Sequence, residues 1–162
     1  MPKTARTLLL LGILLSTVGC DRITKHLATA HLTEQEDHAY LGGLLRLEYA
    51  ENAGGFLSVG ATLPAGVRNT IFIFGAAIVL CVMAVVVWTC RWDTATAVGL
   101  SLVLAGGTSN LFDRIVHGGV IDFLNVGVGP MRTGIFNIAD VAICAGLLII
   151  GCTAVRSTKG QV

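Results

Sequence analysis

Two aspartates carry the chemistry this chain can do: Asp122 in "VIDF" and Asp140 in "FNIAD". An ionisable group at membrane depth is costly, so a carboxylate inside or beside an apolar segment is a functional candidate. Asp122 sits among Val120, Ile121, Phe123 and Leu124, and Asp140 opens an apolar run with Asn137 three residues before it. Each also has a plain reading, Asp122 as a loop carboxylate and Asp140 as a helix-start carboxylate favoured by the dipole. Brought into one poorly solvated pocket, the two cannot easily both ionise, and one keeps its proton near neutral pH. That gives a general acid and a general base with no metal or other cofactor, titrating as a coupled pair.

The elements that must position them are apolar. The chain has 162 residues, 54% hydrophobic and 13% charged, with mean hydropathy +0.77, against roughly 25% charged in a soluble domain. Net charge is +1, which leaves no electrostatic footprint for nucleic acid. "TIFIFGAAIVLCVMAVVVWT" (70–89) has no charge and, at about 1.5 Å per residue, crosses a hydrocarbon core of about 30 Å. Spans are expected also at 94–112 and 135–155. The opening apolar run reaches spanning length only by continuing through "DRITKHL", giving a span over 7–27, with Asp21 and Lys25 paired one turn apart and Arg22 snorkelling outward. The expectation is an all-α membrane protein, one integral membrane domain over 1–162, with four transmembrane helices.

Four spans put both termini on one side. The "CRWD" turn is tight, whereas the 26–68 segment and "HGGVIDFLNVGVGPMRTG" lie together on the other side and carry most of the polar residues. Basic residues divide almost evenly, so the positive-inside rule is close to a tie. The basic, acid-free start favours cytoplasmic termini and an active site near the extracytoplasmic face. "LLRLEYAE" alternates like a half-buried strand and "VIDFLNV" is rich in strand formers between glycines, so a small sheet on the membrane surface is expected. The five cysteines lie in or beside apolar runs without a CxxC pair, and are read as buried thiols. No metal-ligand spacing accompanies His117.

Other polar residues follow the same layout. Asn110 and Arg114 share a helical face, and Asp113 is placed to pair with Arg114. Asn52 and Gly54 of "ENAGGF" form either a plain turn or a backbone that an extended peptide approaches.

Five motifs in order, "DRITK", "ENAGGF", "GGTSNLFDR", "VIDF" and "FNIAD", make the whole chain resemble the lipoprotein signal peptidases (signal peptidase II). The resemblance implies that Asp122 and Asp140 are a catalytic dyad. It also implies that Asn110, Arg114 and Asn137 support that dyad, while Asp21, Lys25, Asn52 and Gly54 shape the site. Two positions depart from the usual family pattern: Ser109 stands where glycine precedes the asparagine, and the Asn52–Phe56 motif is one residue shorter.

The implied activity is aspartic endopeptidase cleavage of prolipoproteins on the amino side of a diacylglyceryl-modified cysteine, in a bacterial plasma or inner membrane, by a monomer. The opening segment, whose "TVGC" mimics a lipobox, is then expected to be retained. A rival reading is a small carrier or proton channel using Asp21 and Asp140 as relays. It requires carboxylates strung through the bilayer, whereas these gather at one face.

Overall fold

A computed structural model of the chain describes residues 3–33, 37–55 and 59–159. Helix α1 covers Lys3–His31, and strands β1 (His38–Tyr40) and β2 (Leu45–Asn52) flank a short 3-10 turn. Helix α2 (Ala65–Asn69) passes through a π-helical turn, Thr70–Gly75, into α3 (Ala76–Thr89). Helix α4 (Thr94–His117), strands β3 (Val120–Val128) and β4 (Met131–Phe136), and α5 (Ile138–Lys159) complete the chain. Among the described residues four helical segments are long and apolar enough to span a membrane: Thr4–His31, Ala65–Thr89, Thr94–His117 and Ile138–Arg156.

The segment expected to span from 70 starts at Ala65, directly after Pro64, since proline suits the first turn of a helix and not its interior. The segment expected from 135 starts at Ile138, because 131–136 pairs with β3 as a strand.

Helix α4 is central: half of its apolar window is buried, against 6% to 17% for the other three spans. Its packing against α5 depends on small residues. A Cβ on Gly99 would lie 2.8 Å from the Gly146 carbonyl oxygen, and one on Gly146 would lie 2.5 Å from that of Gly99. One heptad along, a Cβ on Gly106 would run into the Ala139 carbonyl oxygen. Lipid tails offer no hydrophobic drive for helix association, so close backbone approach through small residues supplies the contact. Asp93 caps the start of α4 by accepting from Ala95 N and Thr96 N at 3.0 and 3.1 Å. Gly118 ends it in the left-handed region, φ 80°, a conformation glycine enters without a Cβ penalty.

The sheet is antiparallel in the order β1-β2-β3-β4. The expected strands are β2 and β3; β1 and β4 extend them. A bulge in β2 between Leu47 and Ala50 sets Ala50 opposite Asp122 and Asn52 opposite Val120. Arg132 holds the far end: its Nε donates to Asn125 Oδ1 at 2.6 Å and its guanidinium also reaches the Gly43 and Asn125 carbonyls at 3.0 Å. Asn125 in turn donates to Glu48 at 3.0 Å. The sheet is thereby locked in register, with Asp122 on the inward face beside Val120.

All five cysteines are exposed on the protein surface, which corrects the expectation of buried thiols. Apolar segments in a membrane protein face lipid as readily as core, so apolar neighbours do not imply burial here.

Candidate active site

Strand β4 leads straight into Asn137, which caps α5. Its Oδ1 accepts from Asp140 N at 2.9 Å, and its own N donates to Asp140 Oδ2 at 3.3 Å. This is the reciprocal arrangement of a capping box. It leaves the Asn137 carboxamide nitrogen free to donate to Asp122 Oδ1 at 2.6 Å and to Asn110 Oδ1 at 3.2 Å. Asn137 thus touches both aspartates, one brought by a strand and one by a helix. The helix-start reading of Asp140 is met, and the same turn brings its carboxylate to the residue that also holds Asp122.

The other oxygen of each carboxylate is also engaged. Asn52 Nδ2 donates to Asp122 Oδ2 at 3.0 Å, and Asn110 Nδ2 donates to Asp140 Oδ1 at 2.8 Å. Lys25 Nζ donates to Asn110 Oδ1 at 2.9 Å. A cation beside one end of the amide orients it, so the NH₂ end must face Asp140. Asn52 is steadied by its own turn: Gly54 N donates to its Oδ1 and its Nδ2 donates to Gly55 O, both at 3.0 Å. Arg114 clamps that turn to α4, donating to Gly54 O at 2.7 Å and Asn110 O at 3.1 Å. Phe56, the end of the "ENAGGF" motif, lies outside the described residues.

Beneath this lies a buried charge cluster. Lys25 Nζ stands 2.7 Å from both Asp21 Oδ2 and Asp113 Oδ2, while Arg22 reaches Asp113 at 2.5 Å and Asp21 at 3.3 Å. Both carboxylates are fully buried, and the four charges cancel. Buried ions persist only when paired and hydrogen-bonded. Asp21 also accepts from Ser109 Oγ at 2.6 Å and from Ala139 N at 2.9 Å, so it ties α1 to α4 and to the first turn of α5.

The expected Asp21–Lys25 pair is present. Two other expectations need correction. Asp113 pairs with Arg22 and Lys25 and not with Arg114, since it lies on the buried face of α4 while Arg114 turns toward the 52–55 turn. Arg22 does not snorkel free: its head is drawn to Asp113 and lies over the Phe112 ring, 5.2 Å from the centroid. Asp113 and Ser109, both visible in the sequence, are the residues that sequence reasoning did not assign to the site. Their four-residue spacing on the face of Asn110 and Gly106 was the available signal.

Burial, and secondarily the Asp140 charge, push the Asp122 carboxyl up to about 6, against the pull of the Asn52 and Asn137 hydrogen bonds and the Lys25 charge. A cavity of about 610 Å³ reaches this centre, lined by apolar residues of the π-turn, α3 and α5, among them Phe72, Leu80 and Ile143, and by Asn110, Arg114 and Asp140. A groove walled by hydrocarbon and floored by a carboxylate suits a substrate that arrives within the bilayer.

The family model described as signal peptidase (SPase) II matches residues 13–156. The chain belongs to the signal peptidase II family. A lipoprotein signal peptidase of Photorhabdus laumondii is 35% identical, with 76% of this chain and 78% of that one covered. One from Geobacter sulfurreducens is 30% identical over 91% and 92% of the two chains. A bacterial membrane enzyme solved by the in meso method at 2.3 Å has the same fold, with TM-score 0.83 at 22% identity over 94% of this chain and 91% of that one. Like other signal peptidase II chains, this one is a multi-pass membrane peptidase, and nothing in these likenesses favours a carrier or channel.

Proposed function

We propose that the chain removes signal peptides from diacylglyceryl-modified prolipoproteins, with Asp122 and Asp140 as its catalytic dyad. The observation that carries this reading is the shared contact of Asn137 with the buried Asp122 and the half-buried Asp140, at the head of an apolar groove. The remaining site residues hold that pair: Asn52 and Gly54 steady Asp122, Asn110 and Arg114 steady Asp140 and the turn, and Asp21 and Lys25 fix α1, α4 and α5 beneath them.

In the reaction, one aspartate is ionised and takes a proton from water as its oxygen attacks the scissile carbonyl carbon. The other, protonated, donates to the carbonyl oxygen, and a tetrahedral gem-diol forms. Collapse of that diol breaks the C–N bond. The aspartate that took the first proton now gives one to the leaving amine, and its partner recovers a proton from the diol hydroxyl. The asparagine amides hold the carboxylates in place throughout, so little reorganisation is needed. A substrate already resident in lipid pays little desolvation on entering the groove.

The termini face the cytoplasm and the sheet and dyad lie at the extracytoplasmic surface of a bacterial membrane, with one copy sufficient for activity. The test uses purified full-length protein in vesicles with one prolipoprotein, with and without its diacylglyceryl group. Cleavage of the modified form on the amino side of its cysteine is expected. Equal cleavage of both forms, or a cut elsewhere, refutes the reading.

A further inference from the structure

A second cavity, about 720 Å³, lies far from the dyad, where the start of α1 meets the α3–α4 turn. At about 1.5 Å per residue, α4 carries Asn110 roughly 24 Å from Thr94 at the mouth of this cavity. Both tryptophans of the chain, Trp88 and Trp92, line it together with Arg6, Leu10, Arg91 and Asp93.

The charge here is unbalanced. Arg6 Nη2 donates to the carbonyls of Val87 and Cys90, both at 2.9 Å, and among the described residues nothing takes its Nε and Nη1. Arg91 has no hydrogen-bond or ion-pair partner among the described residues. The acid of the lining, Asp93, is spent on the α4 cap: Oδ1 accepts two backbone N–H groups and Oδ2 accepts from Thr96 Oγ1 at 2.5 Å. The cavity therefore presents two guanidinium groups with donors to spare and no free carboxylate.

Its walls explain what kind of anion fits. Leu10 and Ala97 form a buried apolar floor, and Trp88 and Trp92 remain 64% and 38% exposed at the level where amphipathic rings meet lipid headgroups. A free phosphate would use the guanidinium groups and leave the apolar wall wet. A phospholipid uses both, with its phosphate against the arginines and an acyl chain along Leu10 and the indole rings. A net anionic headgroup complements two arginines better than a zwitterionic one, whose own ammonium would face them.

We propose that this cavity is a binding site for an anionic phospholipid, held by Arg6 and Arg91 and packed by Trp88 and Trp92, separate from the peptidase centre.

Because Trp88 and Trp92 are the only tryptophans and both line this cavity, tryptophan emission, excited selectively over that of Tyr40 and Tyr49, comes from its walls. The test places the full-length protein in phosphatidylcholine nanodiscs doped with phosphatidylglycerol or phosphatidylethanolamine brominated on the acyl chains. Half-maximal quenching is expected at a lower mole fraction of phosphatidylglycerol than of phosphatidylethanolamine. With roughly 1 kcal/mol for each arginine, Arg91→Gln should weaken that preference about fivefold, and addition of Arg6→Gln should weaken it on the order of 25-fold. Arg6 also holds the end of α3, so Arg91→Gln alone decides the matter if the double variant fails to fold. Superimposable quenching curves for the two lipids overturn the proposal, as does an unchanged preference in Arg91→Gln. Loss of the preference on adding inorganic phosphate at constant ionic strength makes this a free-anion site and overturns it equally.

Discussion

Asn137 and Asp140 each accept a hydrogen bond from the other's backbone N–H, at 2.9 Å to the Asn137 side chain and 3.3 Å to that of Asp140, so the turn that starts α5 also aims a carboxylate. The Asn137 amide nitrogen then reaches Asp122. Cap and bridge are separable by substitution. Asn137→Ser keeps an oxygen that caps the helix and removes the amide donor. Thermal stability should change little, since serine and asparagine cap about equally well, while kcat should fall on the order of 100-fold. The hydrogen bond from Asn137 lowers the Asp122 pKa, so its loss should also move the titration of Asp122 above 6. A kcat unchanged from wild type would show that the bridge is idle.

Asp122→Asn and Asp140→Asn should each lower cleavage of a lipid-modified precursor on the order of 1,000-fold or more, because neither carboxyl alone supplies both acid and base. The double variant should be scarcely worse than either single one, as expected of groups that act as a unit. Single-turnover cleavage in vesicles measures this, and additive losses would contradict a dyad.

One titration step of the pair should fall near 6, because burial holds the Asp122 carboxyl at about 6, well above the ordinary aspartate value of about 3.9. The sign for folding follows from the raised value. Protonated Asp122 favours the folded state fully below about pH 4, and that contribution is lost as pH rises through 6. Asp140→Asn removes a like charge and should lower the Asp122 step, which carboxyl-labelled NMR can follow. A step that stays in place or rises would mean the two charges do not interact.

Removing one member of the buried cluster should unfold more than it inactivates. Lys25→Met leaves Asp21 and Asp113 with Arg22 alone, and losing one partner of a buried pair costs about 3–5 kcal/mol. A large drop in Tm in detergent is expected, together with loss of activity as the Asn110 amide is freed. Wild-type stability would place these charges in water and not in the protein interior.

Gly106→Ala should push α4 from α5, because its Cβ meets the Ala139 carbonyl oxygen and Ile143 Cγ1, the latter at 2.8 Å. Asn110, one turn further on, would then leave Asp140. Gly12→Ala on the open face of α1 has nothing within 4 Å and should be neutral or stabilising by up to about 1 kcal/mol. Equal activity in the two variants would remove the packing argument.

The spans and the two central strands were legible because hydropathy and period-2 alternation are local signals. The Asp21–Lys25 pair was legible for the same reason. What the chain did not reveal depended on contacts between distant segments. Nothing near Asp113 says that its cations arrive from α1, and an adjacent arginine invites the wrong pairing. The start of α5 was misplaced because Ile135 and Phe136 extend an apolar run whether they sit in β4 or in a helix. Ser109 shows in the sequence only as a departure from the usual family glycine, and its hydroxyl meets Asp21, 88 residues away, only in the folded bundle.

Asp122 travels on a strand at the water's edge and Asp140 on a helix threaded through lipid. The two acids are 18 residues apart in the chain and lie in different layers, so Asn137 can join them only once the strand layer rests on the helical bundle. If they are the dyad proposed above, a chain whose sheet has not yet docked has no working centre.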